Sequence, residues 1–131
     1  MTTSRSGIRA AREAADGFSQ VAEYLEQYSQ DGTATHRDAA MSVHDDIDRA
    51  GVACLDIILS GDINRPEDWI HALIGKTQDL AERVVFRLSS ILEDHGTPPR
   101  DLALAHIHAV VALAAIDEYL THGERGSDVT Q

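Results

Sequence analysis

Apolar positions recur at three- and four-residue intervals through almost the whole chain, the pattern of amphipathic helices. In the first such stretch, residues 6–29, Ile8, Ala11, Ala15, Phe18, Ala22 and Leu25 fall on one stripe. The second, residues 35–60, carries Ala40, Val43, Ile47, Ala50, Cys54 and Ile57, with Thr35 and Asp38 forming a capping-box-like start. The third opens at Pro66, which suits a first helical turn, and Glu67 and Asp68 favour the positive end of the dipole. Gly75 is expected to break or kink it between a short Trp69-bearing helix and a longer one reaching Asp94, with stripe Leu80, Val84, Leu88 and Ile91. The fourth starts after Thr97 and its two prolines, runs to about His122, and places Leu102, Ala109, Leu113, Ile116 and Leu120 inward. Gly32, Gly61, Gly96 and Gly123 follow the four stretches, where a left-handed cap wants glycine. No β-alternation of useful length occurs. The pattern predicts an all-α fold: an up-down-up-down four-helix bundle with one short extra helix.

One stretch departs from simple amphipathicity. From Leu102 to Ile116, fifteen residues contain only two polar members, His106 and His108. A helix apolar nearly all round must be covered on several sides, by its own chain or by a second copy. The run is shorter than the roughly 20 apolar residues that cross a bilayer, so no membrane span is expected. A homodimer through this helix is.

The remaining composition narrows the function classes. The 131 residues suit one domain, read as a flexible start (1–5), a helical bundle (6–122) and a disordered tail (123–131). Twenty-two acids against eleven bases give a formal charge of -11, and Lys76 is the only lysine. Such a surface disfavours RNA or DNA held through phosphates, which needs basic patches. Cys54, the single cysteine, excludes an internal disulfide, and its place on a stripe reads as a small core residue. The first residues lack the apolar core of a secretion signal, so a cytoplasmic location is expected.

Specific chemistry is sparse. No Glu-x-x-His pair, His-Glu-x-x-His run or phosphate-cradling glycine loop is present, so neither metal nor cofactor is expected. His106 and His108 stand about 200° apart on a helix and cannot both face one ion. His95 and His122 each precede a glycine, where an imidazole favours the negative helix end. Trp69 is expected to pack the third helix onto the bundle. The second and fourth helices open alike, at Gly32-Thr33 with Arg37-Asp38 and at Gly96-Thr97 with Arg100-Asp101. An internal duplication and shared capping grammar both account for this. Either way, one end of the bundle would gather His36, Arg37, His95, Arg100 and, deeper, His44 and His106.

Arg100-Asp101-Leu102-Ala103-Leu104-Ala105-His106, at the start of the last helix of a small all-helical chain, resembles the motif of the HEPN family. In that family an arginine is followed, after four to six intervening residues, by a histidine. The resemblance implies a metal-independent RNase or toxin–antitoxin component in which two subunits join their motifs. His106 would then act as general acid or base and Arg100 would stabilise the charged phosphorane. Asp101, Arg37, His44 and His95 would be supporting residues. Two other Arg-to-His spacings of this kind occur, Arg37 to His44 and Arg65 to His71, so position alone distinguishes Arg100. Six residues turn a helix by about 240°, so Arg100 and His106 share a face only if the first turn is irregular. The competing reading is a non-catalytic acidic helical module that binds a protein partner.

Overall fold

The computed structural model describes residues 4–31, 36–60, 67–94 and 99–123. They form α1 (Ser4–Gln30), α2 (Arg37–Ser60), α3 (Glu67–Glu93) and α4 (Arg100–Glu118), the last ending in a π-helical turn, Tyr119–Gly123. Helices α1 and α3 each pack against both α2 and α4, so α2 and α4 stand on opposite corners of the bundle. Gly7 lies by Tyr119 and Gly17 by Ala112, whereas His44 bonds Glu26 and His36 bonds Tyr28. These pairs run α1 antiparallel to both neighbours. The all-α, up-down-up-down bundle is thus observed.

The inward stripe of α2 is buried at all six expected positions. In α1, Ala11, Phe18 and Leu25 are buried together with Ala14, Val21 and Tyr28, while Ile8, Ala15 and Ala22 are half-buried. Gly75 does not break α3, so the Trp69 segment is its first part and not a separate helix. Ile70, Ile74, Ala81, Val84, Leu88 and Ile91 keep one buried stripe in phase across the glycine. Their burial outweighs the roughly 1 kcal/mol that glycine costs a helix interior. Thr77 joins this stripe with its hydroxyl donating to the Leu73 carbonyl at 2.9 Å, so its burial leaves no donor unmet. Trp69 packs against the core as expected.

The largest departure is in α4. Its buried face is Leu102, Ala105, Ala109, Ala112 and Ile116, while His106 and Leu113 are only half-buried. The small residues lie inside because α1 comes very close: a Cβ built on Gly17 would stand 2.8 Å from the Ala112 Cβ and 3.2 Å from the His108 carbonyl. The larger residues lie outside, with Ile107 55%, Val110 42% and Val111 59% exposed. Within one chain, then, α4 is not enclosed on most of its circumference.

The cap glycines Gly32, Gly61 and Gly96, the cap residues Thr35 and Thr97, Arg65, His95 and the segment 124–131 fall outside the described residues.

Candidate interaction surface on the last helix

The expected site residues do not converge. Arg100 begins α4 and is exposed. Its turn is regular, since the Ala103 amide already donates to the Pro99 carbonyl at 3.0 Å. Arg100 and His106 therefore point about 120° apart. Eleven residues after His106, and within about 20° of its direction, Asp117 accepts a 2.5 Å bond from Gln78 of α3. His106 thus faces the α3–α4 seam, and Arg100 faces outward. Asp101 is half-buried, and Arg100 makes no ion pair among the described residues.

The other members are spent on separate contacts. Arg37 donates to the Asp31 carbonyl at 2.9 Å. His44 places Nε2 2.9 Å from Glu26 and Nδ1 3.5 Å from Asp48, tying α2 to α1. His108 stacks on Tyr24 at 5.6 Å, and His71 lies 5.8 Å from Tyr119 at the opposite end. His44, Asp45 and Asp48 hold ligand atoms within 4.8 Å of one another, but both acids are exposed, and surface carboxylates commonly gather in this way without an ion. His44, His108 and His71 thus serve three different helix seams.

One constellation was missed at the level of sequence. Asp46 is buried at 3% exposure, and its carboxylate accepts a 2.9 Å bond from Arg87. Arg49 and Arg83 stand 3.8 and 3.9 Å from its other oxygen. The spacings (46 to 49 and 83 to 87) hint at one cationic neighbour of Asp46 on α2 and a pair of cations on α3, but nothing in the chain order pairs α2 with α3 at that level. The cluster ties the two helices together through a charge that burial would otherwise forbid.

Cys54 is fully buried, and burial pushes its thiol from an ordinary 9.0 up to about 12. The native chain therefore holds a proton that the unfolded chain releases at lower pH. This contribution to stability is complete below about pH 9 and is lost as pH rises to 12, at up to ~1.4 kcal/mol per unit. In urea titrations at successive alkaline pH values, Cys54→Ala is expected to flatten that fall. An unchanged slope would show that other groups set it.

An open groove of about 460 Å³ lies between α1 and α2, lined by Ala15, Phe18, Ile47, Gly51, Val52 and Leu55, among others. The outer face of α2 beside it mixes Met41, Val52, Leu55 and Leu59 with the exposed acids Asp45, Asp48 and Asp56. The outer face of α4 is different. Between Arg100 and Glu118 its outward positions are Leu104, Ile107, Val110, Val111 and Ala114, without a charge among them. By length and composition, Arg100–Thr121 is also apolar enough to cross a membrane, but a third of it is buried in the bundle. Continuous exposed apolar strips on folded proteins mark places where something docks.

The chain matches no family model, no curated protein and no solved structure.

Proposed function

We propose that this chain is a non-catalytic helical interaction module that docks a protein surface with the outer face of α4. The observation that carries this reading is the placement of Ile107, Val110 and Val111 in water while alanines fill the core beneath them. Ordinary packing would reverse the two sizes. Keeping β-branched residues outside costs solubility and is explained if another surface covers them. The acidic remainder of the molecule opposes aggregation and leaves this strip as the adhesive part.

The test is photo-crosslinking from position 107 in the full-length chain inside the cell that makes it. A benzophenone amino acid at 107 is expected to form adducts with a polypeptide, and one at the exposed Glu13 of α1 is not. Equal adducts from both positions, or none from 107, would refute the reading.

A second reading has one observation in its favour. Arg100 stands at the end of the same strip, so a docked subunit would bring its own residues beside it. A HEPN-like RNase would join the Arg100–His106 motifs of two subunits at that end. Loss of RNA cleavage by the purified protein on His106→Ala would favour this reading; cleavage that is absent, or unchanged by the substitution, removes it.

A further inference from the structure

The outward positions of α4 have a finer order than a patch. Arg100, Leu104, Ile107, Val111, Ala114 and Glu118 alternate steps of four and three residues, the 3.5-residue spacing of a coiled-coil seam. All six lie within about 80° of one another around the helix. Leu104 is half-buried and the other five are exposed. The series is also symmetric about its midpoint, Ala109. Arg100 mirrors Glu118, Leu104 mirrors Ala114, and Ile107 mirrors Val111.

We infer that α4 pairs with α4 of a second copy of this chain, antiparallel, with the twofold axis beside Ala109. This inference rests on the reading of α4 as the docking face and names its occupant. In an antiparallel pair the layers match each seam position of one helix with its mirror on the other. Ile107 then sits across from Val111 twice, forming a central apolar layer of four side chains. Leu104 covers the small Ala114, so a large residue meets a small one. The ends close with two Arg100–Glu118 pairs.

Charge decides the direction. A parallel pair would set Arg100 against Arg100 and Glu118 against Glu118, whereas the antiparallel one neutralises both ends. It also supplies the missing partner of a cation placed at a helix N-terminus, where the dipole repels it. The face of α2 cannot be used in the same way. Its positions Met41, Asp45, Asp48, Val52, Leu55 and Leu59 would bring four carboxylates into one seam. Repulsion between two chains of charge -11 is screened beyond roughly 8 Å at physiological salt. The seam occupies one helix of nineteen residues, less than the roughly 800 Å² per partner of a standard interface, so the expected Kd is micromolar.

Sedimentation equilibrium of the full chain at concentrations up to about 100 µM tests each part. The wild type is expected to approach twice its 14.2 kDa chain mass. Ile107→Asp is expected to leave a folded monomer, and Val52→Asp on the opposite corner to leave the dimer unchanged. Arg100→Glu and Glu118→Arg are each expected to weaken the dimer about tenfold, and the two together to restore it. A dimer indifferent to Ile107→Asp overturns the α4 face itself. A dimer that requires Ile107 but shows no rescue by the double reversal overturns the antiparallel register. A wild-type monomer overturns the second copy; adducts from position 107 to a different polypeptide would then leave the docking face standing. A monomer that floats with phosphatidylcholine vesicles, and loses this with Ile107→Asp, gives the strip to a lipid surface instead.

Discussion

Gly17→Ala is expected to destabilise the bundle by about 2 kcal/mol, although alanine is the better helix former. On propensity alone the change would stabilise by roughly 1 kcal/mol. Against this stands the geometry: the new Cβ would lie 2.8 Å from the Ala112 Cβ and 3.2 Å from the His108 carbonyl. Neither neighbour is the end of a flexible side chain, so the two helices must separate. Separation thins the packing of Ala14, Ala105 and Ala109, which have no longer side chains to fill the gap. Gly17→Ala with Ala112→Gly is expected to recover part of the loss, because the second change reopens the space. Gly51→Ala serves as the contrast: a Cβ there meets nothing within 4 Å, so a gain of about 0.5–1 kcal/mol is expected. Thermal unfolding of the three variants beside the parent reads all of this. Equal stabilisation by both alanines would mean that α1 and α4 are not in close contact.

Asp46→Ala is expected to cost about 2 kcal/mol, by leaving three guanidinium groups together without their anion. The loss should stay below that of a fully buried pair, because Arg87 is 39% exposed and Arg49 and Arg83 are more so, and all three can rehydrate. Asp46→Leu with Arg87→Met is expected to return most of the stability, since a matched apolar pair needs no desolvated charge. Urea midpoints of the single and double variants give the comparison. An Asp46→Ala variant as stable as the parent would show that the carboxylate binds its arginines no better than water does.

How much of this was legible in the chain differs between helices for physical reasons. Helix α2 alternates apolar and charged positions strongly, so its six buried apolar residues can be read directly. Helix α4 is apolar on nearly all sides and gives no phase. A line through Leu102, Ala109 and Leu113 fits such a helix as well as the observed one through Ala105 and Ala112. The missing clue was Gly17, on another helix, whose lack of a side chain draws the alanines inward. Gly75 signals a break or kink because local propensity is visible in sequence and the burial of Ile74 and Thr77 beside it is not. The Arg100–His106 spacing was visible, but its 120° divergence appeared only once the first turn proved regular.

The most direct test of the account is the access of a soluble paramagnetic probe to individual methyl groups, followed by NMR from dilute to concentrated protein. The account expects Ile107, Val110 and Val111 to be reached in dilute solution and shielded as concentration rises, while Leu102 and Ile116 stay shielded throughout. Outer methyls hidden at every dilution, or equally open at every concentration, would contradict it.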